Sequence, residues 1–182
     1  VWNPLPTITM IPFVLFRGWF HVLASPGFAA SIASAIAMSC AVVSIDGIAR
    51  DWCRSRAMRM LVVLGFALNP MVMLYAANGM SEAFLIAFML ACIKPFARWL
   101  TDPSDTMALV STGVLLGLAY LVRYESLAAT AAVSTVVIWK TWALAAPVKR
   151  RVDIIGNLFV VGVPSIASFA GVAIVSCVVP GS

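Results

Sequence analysis

The segment SEAFLIAFMLACIKPFA, residues 81–97, combines a long apolar run with a carboxylate at its start and a lysine near its end. No charged residue lies between Glu82 and Lys94. Because a helix that crosses a bilayer needs about 20 mostly apolar residues, the segment predicts a transmembrane helix. Its first turn also poses a question, since an ionisable residue at a membrane edge is costly and usually functional.

The composition of the whole chain is that of an integral membrane protein. Of its 182 residues, 63% are hydrophobic and 10% are charged, whereas a soluble domain is about half apolar and about a quarter charged. The length provides for roughly six or seven spans and leaves no room for a sizeable soluble domain. The 12 basic residues flank the apolar runs and form no patch with interleaved aromatics, so we expect no binding of nucleic acid.

Seven apolar stretches divide the chain, and together they predict an all-α fold. We expect one polytopic transmembrane helix bundle over residues 1–182, with about six spanning helices and an N-terminal juxtamembrane or re-entrant helix. The stretches lie at about 6–24, 27–48, 60–77, 81–97, 107–122, 126–146 and 154–178.

Prolines set the details of this expected bundle. The first stretch contains Pro6 and Pro12, and it either crosses the membrane or lies in its interface, which periodicity does not decide. The pair Asn69-Pro70 predicts a kink within the third stretch. Pro95 and Pro103 predict a loop that closes the fourth stretch, and Pro164 is a candidate break in the last.

Lysine and arginine are concentrated in alternate loops, which predicts the orientation of the bundle. The basic set comprises Arg50, Arg54, Arg56, Arg59, Lys94, Arg98, Lys149, Arg150 and Arg151, with Lys140 close enough to snorkel towards it. The opposite set holds Arg123 and, near the N-terminus, Arg17. Because cytoplasmic loops carry the excess of basic residues, we expect loops 49–59, 94–105 and 147–153 to be cytoplasmic and residues 78–82 and 123–125 to be external, in a cell membrane.

Aromatic residues are expected to mark the two membrane interfaces. Tryptophan is enriched at the depth of the lipid headgroups. We assign five tryptophans to such a belt: Trp2, Trp19, Trp99, Trp139 and Trp142.

Arg123 is the first candidate for a site, because it lies between two apolar runs on the side that otherwise avoids basic residues. One interpretation is an ion pair with Glu125 or Glu82 that locks helix ends. The other is an anion site, since the guanidinium fork matches phosphate oxygens. On a helix, residues two apart do not face each other, so a pair with Glu125 would be an incomplete explanation.

Glu82 is the second candidate and also has two interpretations. An acid in the first turn of a helix complements the helix dipole, and Ser81 is placed to cap that helix. A half-exposed acid at a helix start also suits a catalytic or metal-binding site. Tyr75 and Asn78 lie at the same expected outer mouth and are able to hydrogen-bond a polar ligand.

Three motifs in order resemble a known enzyme superfamily: WNPLPTITMIPF at 2–13, NPMVMLYAANGMSE at 69–82 and GLAYLVRYESL at 117–127. The chain resembles the polytopic GT-C glycosyltransferases, most nearly the bacterial transferases of the aminoarabinose and protein-O-mannosyl type. These enzymes transfer a sugar from a polyprenyl-phosphate carrier to an acceptor outside the cytoplasmic membrane. The resemblance favours placing 6–24 on the outer face.

The resemblance also implies roles for individual residues. Glu82 corresponds to an acid at the start of a span that acts in catalysis, and Arg123 to a cation that binds the carrier phosphate. Beside them, we expect four further residues to bind substrate: Tyr75, Asn78, Tyr124 and Glu125. A divalent metal held by external acids occurs in some relatives, and Glu82 is then the candidate ligand. The aspartate-bearing loop of the family has no counterpart here, so we expect the sequence to be part of a longer protein.

Two other classes of function stay open. A transporter would show inverted repeats and broken helices that meet near the middle of the bilayer. A non-catalytic membrane subunit would use Arg123, Glu82 and Glu125 only to hold helices together. The expected partners are therefore a polyprenyl-phosphate-linked sugar donor and membrane lipid for the enzyme, and membrane lipid for the alternatives.

Overall fold

A computed structural model of the chain describes residues 4–15, 26–144 and 150–178. The regular structure of these residues is entirely α-helical, which confirms the predicted fold class for this part of the chain. The helices are α1 (Pro4–Leu15), α2 (Pro26–Trp52), α3 (Arg56–Ala67), α4 (Pro70–Ala77), α5 (Ser81–Thr101), α6 (Thr106–Val122), α7 (Ser126–Leu144) and α8 (Arg150–Val178). Four residues that the predictions above used lie outside the described residues: Trp2, Arg17, Trp19 and Lys149.

Four of the described helices, α2, α5, α7 and α8, are long and apolar enough to cross a membrane. The pair α3 and α4 would add a fifth span if it crosses as one bent unit. Helix α6 is apolar but has 17 residues, so it is about 25 Å long. Length and composition therefore support four or five spans where the sequence predicted about six.

The predicted single stretch 60–77 is two helices that meet at an angle of 53°. The predicted kink at Asn69-Pro70 is confirmed as this break. Pro70 has no backbone N–H to continue helix α3, and Asn69 is extended, with φ −64° and ψ 126°. Its side chain caps α4, because Oδ1 accepts a hydrogen bond of 2.9 Å from the Met71 N–H.

Two other prolines do not break their helices. Helix α5 continues through Pro95 to Thr101, so the predicted loop at 94–105 is shortened to residues 102–105. Helix α8 likewise runs through Pro164 without a break, and the expectation of a break there is wrong. A proline inside a helix removes one hydrogen bond, and a membrane helix whose neighbours pack around it tolerates that loss.

The chain divides into two compact units, Val1–Lys94 and Pro95–Ser182. In the first unit, α2 packs against α1, α3 and α4. The turn between α4 and α5 packs against the start of α2. Gly79 has φ +65°, and a Cβ atom on it would lie 2.6 Å from the Cβ of Ala30. Ser34, which is fully buried, donates a hydrogen bond of 3.3 Å to the Met80 carbonyl.

Charged residues gather at the other end of the first unit. Asp46 on α2 accepts hydrogen bonds from Arg50 at 2.8 Å and from Arg59 at 2.6 Å. Lys94 on α5 lies 3.2 Å from Asp51. The end of α2, the start of α3 and residue 94 of α5 therefore meet, as the predicted grouping of the basic loops requires.

The second unit is built around the contact between α6 and α8, with α7 packed against both. Small residues allow a close approach: a Cβ on Gly113 would lie 2.8 Å from the Val160 carbonyl oxygen, and one on Gly117 would lie 2.9 Å from the Pro164 backbone. Glycines four residues apart on one face commonly bring membrane helices together in this way. The face is completed by Leu109 and Leu116, both almost fully buried.

Candidate functional site

The turn between α6 and α7 carries Arg123, Tyr124 and Glu125. Helix α6 ends at Val122, and Arg123 has extended backbone, with φ −154° and ψ 135°. Its N–H still bonds to the Ala119 carbonyl at 2.9 Å. The carbonyls of residues 123, 124 and 125 in turn accept hydrogen bonds of 3.2, 3.0 and 3.2 Å from the first N–H groups of α7. The turn is therefore held by backbone bonds at both of its ends.

Arg123 and Glu125 form an ion pair in this turn, with Nη2 donating to Oε1 at 2.8 Å. The expectation that their separation of two residues would point them apart is wrong. It assumed a helix, whereas Arg123 has extended backbone and Tyr124 and Glu125 form the turn that follows it. The Arg123 side chain is 27% exposed and that of Glu125 is 47% exposed. A pair this accessible adds about 0–1 kcal/mol to stability.

The turn between α4 and α5 places Tyr75, Asn78 and Glu82 around one short connection. Tyr75 is half-buried in the last turn of α4, and Asn78 is the exposed residue that ends it, with its N–H on the Leu74 carbonyl at 3.0 Å. Glu82 lies in the first turn of α5, as predicted, and is half-buried. An acid at this position is favoured by the helix dipole.

Glu82 and Arg123 belong to different compact units. Each unit brings its own candidate residues together, with Tyr75, Asn78 and Glu82 in the first and Arg123, Tyr124 and Glu125 in the second. A single site that contains both Glu82 and Arg123 stays a prediction.

A metal centre has no ready-made ligand set in the described part of the chain. No three side chains of His, Cys, Asp or Glu gather there in a way that could hold a metal ion. Glu82 as a metal ligand stays a prediction.

The second unit also contains a cavity that the sequence did not predict. Its volume is about 520 Å³, and its walls include Trp99, Lys140, Thr141, Asp153 and Asn157. Trp99 is 1% exposed, so its assignment to an interfacial belt is wrong, whereas Trp139 and Trp142 are exposed as that assignment requires. Two charged residues were the feature of the sequence that could have indicated this cavity: Lys140 and Asp153, near the ends of two consecutive apolar stretches.

Comparison with known proteins gives no match: no protein family, no curated protein and no solved structure matches the chain. The likeness to GT-C glycosyltransferases therefore rests on the three sequence motifs and on the chemistry of the residues in them.

Proposed function

We propose that the chain is part of an integral membrane glycosyltransferase. The enzyme transfers a sugar from a polyprenyl-phosphate carrier to an acceptor on the outer side of a cell membrane. The transferases that its motifs resemble act at the bacterial cytoplasmic membrane. The observation that carries the proposal is Arg123, a half-buried guanidinium in the turn between two apolar helices.

The distribution of charge within each unit supports the orientation that this function needs. In the first unit, the ion pairs of Asp46 and of Lys94 lie at the end opposite the α4–α5 turn. In the second unit, the 2.6 Å pair of Arg98 with Asp105 lies at the far end of α6 from Arg123. Because the basic ends of membrane helices face the cytoplasm, the α4–α5 turn and the α6–α7 turn are both expected on the outer side. This proposed topology has six spans, with α1 on the outer face.

Arg123 has the chemistry to bind the carrier phosphate at headgroup depth. A guanidinium presents five N–H donors in a planar fork and is able to bind a carboxylate and a phosphate together. Glu125 orients that fork through its 2.8 Å bond. When the sugar leaves its carrier, negative charge grows on the phosphate, and a cation fixed beside it stabilises the transition state.

Glu82 supplies the carboxylate of the proposed reaction. A carboxylate at the start of a helix accepts the proton of an acceptor hydroxyl, or orients that hydroxyl, as general-base catalysis requires. Tyr75 and Asn78 lie at the end of α4, next to the same turn, where they offer a phenol and an amide to the sugar hydroxyls. Tyr124, which is 69% exposed, offers an aromatic face beside the phosphate.

One observation favours a second candidate, a non-catalytic membrane subunit. Arg123 is already matched by Glu125 in an ion pair, which is what a purely structural role predicts. A transporter stays an alternative. Broken helices build transporter sites; the pair α3 and α4 is such a break, whereas α8 is unbroken at Pro164.

Binding of a carrier lipid to the full-length protein in nanodiscs tests the proposal. The probe is a polyprenyl phosphate, and the control is the matching polyprenol, which has the same chain without the phosphate. If the chain is part of a transferase, the polyprenyl phosphate should bind saturably. The polyprenol should bind at least about tenfold more weakly, because it loses one or more charge-assisted hydrogen bonds. Equal binding of the two, or binding of neither, would favour the structural subunit.

A further inference from the structure

The cavity in the second unit has a position that suits a lipid headgroup. Its walls come from the end of α5 at Trp99, the end of α7 at Lys140 and Thr141, and the start of α8 at Asp153 and Asn157. All three helices are long and apolar enough to cross a membrane. A cavity among the ends of spanning helices lies at the depth of the headgroups.

Two exposed tryptophans mark the same level on the outside of α7. Trp139 is 67% exposed and Trp142 is 54% exposed, and both lie within two residues of Lys140. Exposed tryptophan at the end of a membrane helix is typical of the interface between hydrocarbon and water. The cavity therefore opens where phospholipid headgroups are concentrated.

Two described residues of opposite charge line the cavity. Lys140 on α7 and Asp153 on α8 both line it. Within residues 4–15, 26–144 and 150–178, neither takes part in an ion pair or hydrogen bond of its side chain. A ligand with a single charge would be attracted by one of them and repelled by the other. A ligand with both charges is attracted by both.

The remaining walls are fixed and partly polar. The indole of Trp99 is buried and stacks on Phe96, with ring centroids 6.2 Å apart. The Asn157 amide donates a hydrogen bond of 3.0 Å to the Thr141 hydroxyl, which ties α8 to α7 beside the two charged residues. At about 520 Å³, the volume lies in the range of small-molecule sites.

We propose that this cavity binds the headgroup of a membrane aminophospholipid, with its phosphate on Lys140 and its ammonium on Asp153. A phosphoethanolamine headgroup carries both charges, and its ammonium has three N–H donors for the carboxylate and the Thr141 hydroxyl. A phosphoglycerol headgroup leaves Asp153 without a cation. A phosphocholine headgroup carries a cation that has no N–H to donate. This site is separate from the proposed carrier site and shares no residue with it.

Native mass spectrometry of the full chain in detergent, with each lipid added at equal concentration, tests the proposal. The probes are dioleoyl phosphatidylethanolamine, its mono-, di- and trimethylated forms, and dioleoyl phosphatidylglycerol. We expect binding to fall with each methyl group, by about tenfold over the series, the size of a lost charge-assisted hydrogen bond. This series uses the unchanged protein. Equal binding across it, or stronger binding of phosphatidylglycerol, would overturn the proposal.

Variants locate the site. Asp153→Asn should remove the preference for phosphatidylethanolamine. Lys140→Gln should weaken the binding of every phospholipid in the series, whereas Lys94→Gln, at a lysine paired with Asp51, should change neither. A preference that survives Asp153→Asn, or phospholipid binding that is unchanged by Lys140→Gln, would overturn the assignment to this cavity. Soluble glycerophosphoethanolamine at the lipid concentration should not displace the lipid, because it has no acyl chains, and displacement by it would show that the ligand is not a lipid.

Discussion

Gly113 lies directly against the carbonyl of Val160, at a distance that leaves no room for a side chain. The same carbonyl lacks its usual helical partner, because the residue four positions on is Pro164, which has no N–H. The glycine Cα–H therefore faces an acceptor that the proline has freed, and a weak C–H···O contact is worth about 0.5–1 kcal/mol. Close packing and the missing hydrogen bond are thus two aspects of one contact between α6 and α8.

Substitution of Gly113 should separate the two helices. A Cβ atom 2.8 Å from a backbone oxygen forces a shift of the helix, so we expect Gly113→Ala to reduce the free energy of unfolding by about 1–3 kcal/mol. Gly171→Ala is the matched control on α8, where a Cβ would meet no atom within 4 Å. It should be neutral or stabilise by about 0.5–1 kcal/mol. Unfolding in mixed micelles measures both, and equal effects would contradict the packing argument.

The α4–α5 turn should depend on Gly79 for two separable reasons. Its φ of +65° costs a residue with a side chain about 1–2 kcal/mol, and its neighbour Ala30 occupies the space of a Cβ. We expect Gly79→Ala to destabilise less in an Ala30→Gly background, with a coupling of about 0.5–3 kcal/mol in a double-mutant cycle. A coupling of zero would mean that the turn moves away from α2 without cost.

The orientation of the helices is open to direct labelling. Cys53 lies in the α2–α3 connection and is half-buried, so it reports on that loop once the other three cysteines are replaced. It should react with an impermeant maleimide only after the membrane is permeabilised. Tyr124→Cys, at a position that is 69% exposed, should react in intact cells. Labelling of Cys53 in intact cells would reverse the proposed orientation.

Removal of the charge of Glu82 should separate catalysis from stability. Glu82→Gln keeps the size of the side chain, and loss of a first-turn charge costs about 0.3–1 kcal/mol. In the full-length protein we expect sugar transfer to fall by two or more orders of magnitude, about what general acid–base catalysis contributes, while unfolding changes little. Near-normal transfer would leave Glu82 with a structural role.

The sequence predictions succeeded where the chemistry of neighbouring residues determines the structure. Apolar runs gave the helices, and the break at Asn69-Pro70 followed from the missing N–H and the capping side chain. The failures depended on contacts between segments. Pro164 is accommodated because Gly117 of α6 packs on it. Trp99 is buried because the end of α5 lies beside α7 and α8 at the cavity. The pair of Arg123 with Glu125 required the backbone of the turn, which no periodicity specifies.

The affinity of Arg123 variants for a polyprenyl phosphate tests the central claim most directly. In full-length protein in nanodiscs, Arg123→Ala should weaken binding by about tenfold or more, since a charge-assisted hydrogen bond is lost. Arg123→Lys should retain part of the affinity as a point charge without the planar fork. Glu125→Gln, whose amide oxygen still accepts the hydrogen bond that orients the fork, should bind about as tightly as the wild type. Equal affinity of the wild type and Arg123→Ala would contradict the phosphate site and leave the ion pair with Glu125 as the function of the arginine.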